Sequence, residues 1–305
     1  MSTKFEVIGL GASTVDILSL VDHFPCREEV QEAQEITVQG GGPVATAMVT
    51  LARLGARTAL LDVIGDDWRG DVILNEFRRD GVCTDHLRRV AGATSATASV
   101  LVRRRDGARS IVFYPGTAPA LSATDVSDQV IASAKILHVN GRHWEACLQA
   151  CRYARERGVK VSFDGGAHRY NPEISQLIQL TDICIVARDF AEQCAQTTHV
   201  EQAAETLLVE GPELVVITDG ANGSWIYPRE ESPFHQPAYL LPNVVDTTGC
   251  GDSYHGAFLF GLVLDFDLKQ TAALASAVAA LNAQKLGGRG GLPTFEEVTE
   301  FLARA

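Results

Sequence analysis

Six short apolar runs, at residues 5–10, 59–64, 136–139, 159–163, 183–186 and 214–218, are set among stretches with helical spacing, and they constrain the fold more than any other feature. Runs of this length without a polar face belong to strands buried on both sides. Strands that alternate with helices form a mainly parallel sheet covered on both faces, so the expected class is a three-layer α/β/α core. Residues 16–39 and 94–115 break the pattern by alternating apolar and polar positions, which suits antiparallel strands with one exposed face. Asp106-Gly107 reads as the turn of a hairpin in the second segment, preceded by Arg103-Arg104-Arg105 at a solvated strand end. We assign both segments to a small β-sheet lid and residues 1–15, 40–93 and 116–305 to the core. A projecting lid sheet has an apolar face and free edges, and pairing the lids of two subunits would cover them, so a homodimer through the lid is expected.

A chain of 305 residues suits one α/β domain with such an appendage. Lys and Arg total 26 against 38 Asp and Glu, a formal charge of −12, and this excludes nucleic acid as an expected partner. Seven cysteines, an odd number without paired metal-ligand spacing, fit a reducing compartment. The N-terminal stretch runs straight into the first apolar run, with nothing long enough for a signal peptide or a membrane span. The expected location is cytoplasmic, with no membrane partner.

The chemistry concentrates in Asp246-Thr247-Thr248-Gly249-Cys250-Gly251-Asp252, ahead of an apolar helix over 253–264. The first turn of a helix leaves backbone N–H groups unpaired and carries partial positive charge. Gly249, Cys250 and Gly251 therefore offer donors for developing negative charge, and Asp252 is placed to take a proton from an attacking hydroxyl. Asp16 follows the first strand, at the end where α/β sheets bind ligands, and a carboxylate accepts two hydroxyl hydrogen bonds. Arg142 follows the run 136–139 at the same rim, suited to gripping an anion with paired donors, either an acidic sugar or the phosphates of a nucleotide. Asn140, His143 and Trp144 are its neighbours. The glycine-dense 287–291, after an Ala-rich helix over 272–283, can bring backbone close to a ligand.

The run 246–252 resembles the C-terminal signature of the ribokinase and phosphofructokinase-B family of sugar kinases, with Cys250 where Ala is usual. Gly40-Gly41-Gly42 with the following helix to Arg53-Leu54-Gly55, and Val63 through Gly70, resemble the family's two earlier landmarks, so the likeness spans nearly the whole chain. It implies a ribokinase-like fold and an ATP-dependent carbohydrate kinase that transfers the γ-phosphate to a sugar hydroxyl. The ketohexokinase branch is similar at residues 15–22, 110–114, 121–125 and 138–142, and the bacterial sulfofructose kinase branch at 40–47, 235–238, 244–256 and 287–293. Both act on a primary hydroxyl of a ketose. By this resemblance Asp252 is the base and Gly249, Cys250 and Gly251 the anion hole. Asp16, Gly41 and Gly42 meet the sugar, with Thr46, Phe113, Asn140 and Arg142 beside it. Thr218, Gly220, Gly223, Asn282 and Gly288 lie on the nucleotide side, and Asp246 and Thr248 are where relatives hold potassium.

Several positions depart from these branches. Pro43 and Thr46 stand where ketohexokinases carry Asn, and Val30 and Phe113 stand where sulfofructose kinases carry Lys and Asn. The family's Asn-x-x-Glu element, which orders magnesium through water, falls on Ala187 to Phe190, leaving Asp189 or Glu192 as substitutes. Mg²⁺ is still expected, because the charge of the phosphates needs neutralising. Two alternatives stay open: a nucleoside kinase with Phe113, Tyr114 and Trp144 as its base pocket, and a non-catalytic sugar-binding or regulatory module.

Overall fold

A computed structural model describes residues 3–305; Met1 and Ser2 of the N-terminal stretch lie outside the described residues. The strands are β1 (Phe5–Leu10), β2 (Thr14–Val21), β3 (Glu35–Gly41), β4 (Thr58–Gly65), β5 (Leu87–Val90), β6 (Thr97–Arg103), β7 (Ala108–Tyr114), β8 (Ala134–Val139), β9 (Lys160–Gly165), β10 (Ile183–Ala187), β11 (Leu214–Thr218), β12 (Ser224–Pro228) and β13 (Phe234–Gln236). One nine-stranded sheet runs β13-β12-β11-β10-β9-β8-β1-β4-β5, and a separate four-stranded sheet runs β3-β2-β6-β7. In the large sheet β12 pairs antiparallel with both β11 and β13 and so runs against the other described strands.

Two apolar clusters lie on the two faces of the large sheet. Val7, Leu60, Ile136, Ile185 and Val216 point to one face, against the helices Pro43–Leu54, Cys250–Val263 and Leu268–Asn282. Ile8, Leu61, Leu137, Phe163 and Ile217 point to the other, against Trp144–Arg157, Arg188–Ala195 and Val200–Glu210. Strands packed on both faces have no solvent side, which is why their sequences read as unbroken apolar runs. Cys147, Cys151 and Cys184 are buried packing residues, and all seven cysteines are free.

The chain leaves β1 toward β4 on one side and returns through β8 on the other, so the strand order reverses between β1 and β8. Ligands of open α/β sheets bind beyond the carboxyl ends of the strands at such a reversal. The small sheet stands over that end. Its inner face carries Asp16, Leu18, Ala98, Val100, Ile111 and Phe113, paired across β2, β6 and β7. The hairpin tip closes onto the core, where Thr247 Oγ1 donates to the Gly107 carbonyl at 3.3 Å and accepts from Arg109 Nη1 at 3.2 Å. Among the described residues, no helix is long and apolar enough to cross a membrane.

Candidate active site

A single cavity of about 1440 Å³ runs between the small sheet and the strand ends. Its volume exceeds the usual range for one small ligand and accommodates two side by side. The large sheet contributes Ala12 after β1, Asn140 to Arg142 after β8, Asp164 on β9 with Gly166 to Arg169 after it, Ala187 to Asp189 at β10, and Thr218 to Gly223 at β11. The small sheet contributes Asp16, Arg109, Ile111 and Phe113, and the glycine turn contributes Thr247 to Asp252.

Gly249 opens the helix Cys250–Val263 with φ of 69°, a left-handed conformation that favours glycine. A Cβ there would come within 2.5 Å of the Gly288 carbonyl oxygen. Cys250 and Gly251, in the first turn, line the cavity with Asp252 beside them, and the Cys250 N–H also reaches the Thr247 carbonyl at 3.4 Å. Burial, and then the nearby carboxylate of Asp164, push the Asp252 carboxyl up to about 6, while Arg169 and Arg109 hold it down. Burial pushes the Cys250 thiol up to about 12, so it stays protonated and leaves the backbone as the polar feature of the turn.

Beside Asp252 lies a polar group in which Asp164 and His255 are buried and Arg169 is exposed. His255 Nε2 is 3.5 Å from Asp164 Oδ1, and Arg169 Nη1 is 3.6 Å from Asp164 Oδ2. Burial works against ionisation of Asp164, and His255, Arg169 and the Gly166 N–H outweigh it, so its carboxyl lies below the usual value, while burial also lowers His255. An ionised Asp164 is the charge that makes Asp252 a stronger base.

At the opposite end Asp16 is buried, and its Oδ1 accepts from Thr14 Oγ1 at 2.6 Å. Burial raises its carboxyl above the ordinary value, with Thr14 and Arg289 opposing. Asp16 sits inside β2, so its direction is set by the pleat of the small sheet. Gly42 has φ of 93° and passes directly over the Ala12 carbonyl, while Gly41 lies against the Asp16 carboxylate; neither approach leaves room for a side chain. Phe113 and Asn140 line the cavity. Arg142 stands exposed at its rim, its side chain entering no ion pair or hydrogen bond among the described residues.

Thr218, Gly220 and Gly223 line the other arm of the cavity. Ala238 to Leu241, Val244, Ser276, Ala279, Ala280 and Ala283 close it with a mainly apolar slot that the sequence reading did not identify. Arg188 spans Glu192 at 2.8 Å and Asp219 at 2.9 Å, and Asp189 accepts from the His168 N–H at 2.7 Å. Both expected substitutes for the magnesium-ordering pair thus have partners within the chain. No group of three metal-ligating side chains occurs among the described residues.

Three expected contact residues are placed elsewhere. Thr46 is buried, its hydroxyl accepting from Arg289 Nε at 3.1 Å, so it faces a neighbour and not the cavity. Asn282 is fully buried and braces the glycine loop, donating to the Gly288 carbonyl at 2.9 Å and accepting from Gly291 N at 3.1 Å. Gly288 backs Gly249 from outside the cavity. Asp246 is fully buried, its two carboxylate oxygens accepting from Thr248 N and Gly287 N, each at 2.8 Å. Thr248 Oγ1 beside it is buried without a hydrogen-bond partner.

The family model described as "pfkB family carbohydrate kinase" matches residues 3–295. The chain is 29% identical to 5-dehydro-2-deoxygluconokinase of Shouchella clausii, over 97% of this chain and 94% of that protein. Among solved structures it is similar to adenosine kinase from Sinorhizobium meliloti, at 25% identity and a TM-score of 0.85, covering 99% of this chain and all of that one. It also shares the fold of a putative ribokinase II from E. coli solved with ATP and Mg²⁺, at 23% identity and a TM-score of 0.87, covering all of both chains.

Proposed function

Because the chain belongs to the pfkB family of carbohydrate kinases and is thereby an ATP-dependent sugar kinase, we propose that its acceptor is the primary hydroxyl of an anionic, ketose-like sugar. The observation that carries the anionic part is Arg142, an unpaired guanidinium at the rim of the arm that also holds Asp16, Gly42, Phe113 and Asn140. Planar paired donors recognise a carboxylate or sulfonate far better than a hydroxyl. The relative from Shouchella clausii, named for a sugar acid, supports the same reading.

In this account Asp16 accepts two sugar hydroxyls and turns the primary hydroxyl toward Asp252. Asp252 takes the proton as that oxygen attacks the γ-phosphorus, the bond to the leaving ADP oxygen breaks, and the N–H groups of Gly249, Cys250 and Gly251 face the developing charge. The adenine occupies the apolar slot near Ala279 and Ala280, with the ribose at Thr218 to Gly223. Mg²⁺ neutralises phosphate charge when bound, carried by the nucleotide rather than by a cage of side chains. The buried Asp246 and the unpartnered Thr248 hydroxyl fit a monovalent cation such as K⁺, which would strengthen the field at the turn.

The outer face of the small sheet exposes Ile36, Val38, Val112 and Tyr114. We place the contact of a homodimer there, and the free cysteines accord with work in the cytoplasm.

ADP release should be measured against fructose, tagatose, psicose, ribose, sulfofructose, 2-keto-3-deoxygluconate, 5-dehydro-2-deoxygluconate, fructose 6-phosphate and adenosine, with and without K⁺. We expect the highest kcat/KM on an acidic sugar and a drop of at least about tenfold for that sugar alone in Arg142→Ala. Preference for adenosine would favour a nucleoside kinase, and ATP binding without turnover on any acceptor would favour a non-catalytic role.

A further inference from the structure

We infer that Arg289 is a positioning residue that fixes the sugar site and the anion hole at one spacing. It belongs to the glycine loop 287–291, which packs against the phosphoryl end of the site. Gly287 N donates to Asp246, and the Gly288 carbonyl lies beneath Gly249. The Arg289 side chain leaves this loop toward the sugar end, is buried, and lies outside the cavity lining. Its Nη2 donates to the Gly41 carbonyl at 2.9 Å, its Nε to Thr46 Oγ1 at 3.1 Å, and its Nη1 stands 3.4 Å from Glu76 Oε2. That same Glu76 oxygen accepts from Gly40 N at 2.6 Å. The guanidinium also rests over the Phe77 ring, 5.4 Å from its centroid.

The consequence is geometric. Gly40 and Gly41 end β3; Gly40 faces Arg289 and Glu76, and the Asp16 carboxylate lies against Gly41. One side chain therefore ties the peptide behind Asp16 to the loop behind Gly249. Gln39, the residue of β3 before Gly40, lays its side-chain amide against Gly287, a second contact along the same seam. A buried guanidinium whose three nitrogens all have partners is an unusual use of charge, and its removal takes the cation from Glu76 and a donor from both Thr46 Oγ1 and the Gly41 carbonyl. Phosphoryl transfer needs the acceptor oxygen held in line with the γ-phosphate, and an error of about 1 Å costs on the order of a hundredfold in rate. Gly41, Thr46 and Glu76 precede Arg289 by more than two hundred residues, so the seam is invisible to local motif reading.

This inference rests on Asp16 as the sugar's acceptor and is tested so that the two can fail separately. The probe is whichever panel sugar the unmodified protein phosphorylates fastest. In Arg289→Met we expect the KM for that sugar to rise about tenfold and kcat to fall, with MgADP affinity by calorimetry unchanged within about twofold; Arg289→Lys should recover part of the loss. Thr46→Val and Glu76→Gln each remove one partner and should shift the sugar KM the same way, so the test stands if Arg289→Met does not fold. Amide exchange should speed up across residues 38–47 in the variants, a readout that needs no sugar. Unchanged sugar KM in the folded variants, or equal loss of sugar and MgADP affinity, would overturn the role of Arg289. Absence of turnover by the unmodified protein would count against the sugar-kinase account instead, leaving amide exchange to decide on Arg289.

Discussion

As the proposed base, Asp252 combines two demands that ordinarily conflict, since a base must hold a proton firmly when it arrives and yet be free of it beforehand. Burial and the ionised Asp164 raise its carboxyl to about 6, high for an aspartate and still below neutrality. Below that value the proton occupies the base and the hydroxyl loses its acceptor; above it the carboxylate is free. We therefore predict that kcat/KM falls on the acid side with a midpoint near pH 6, about tenfold per pH unit below it, where an unperturbed aspartate would titrate near 4. A profile flat down to about pH 4.5 would contradict this environment for Asp252. Asp252 and the glycines were legible because helix start, glycine turn and carboxylate are neighbours in sequence. Asp164 and Arg169 were not, because the pressure on Asp252 comes from β9 and the loop after it, nearly ninety residues upstream, and His255, three residues after Asp252, takes its role only from its contact with Asp164. Thr46 was misread for a related reason: a polar residue near a binding glycine turn has two sides to face, and Arg289 decides which.

At the scale of elements, strands buried on both faces announced themselves, and β1 and β11 fall at residues 5–10 and 214–218 as read from the apolar runs. β5, Leu-Arg-Arg-Val, escaped because an edge strand with solvated arginines has no apolar signature. The three-residue β13 is too short to carry one. The lid strands were legible from alternation, and β6 and β7 turn at Asp106-Gly107 as expected. Their alternation also assigns roles to the two faces. Asp16, Ile111 and Phe113 point into the cavity, while Val112, 73% exposed, points outward with Ile36 and Val38. Apolar side chains in this number on an exposed sheet face need a cover. The expected outcome is a dimer mass by light scattering at micromolar concentration and a monomer for Val112→Asp. A monomer for the unmodified protein would remove the lid contact.

For the molecule as a whole, one long cavity lies at the sheet's reversal point under the small sheet, and in the proposed function the glycine turn divides it into an acceptor arm and a nucleotide arm. Contact between Thr247 and the lid hairpin places the cover directly above the turn. Excluding water there matters because water would compete with the sugar hydroxyl for the phosphate. The central claim is that both substrates meet at Asp252 and that its carboxylate takes the acceptor proton. Rapid-quench single turnover of Asp252→Asn with the preferred sugar and MgATP tests this most directly. The account predicts a phosphoryl-transfer rate lower by about a thousandfold with MgATP affinity essentially unchanged. Transfer within about tenfold of the unmodified protein would show that another group, or none, accepts the proton.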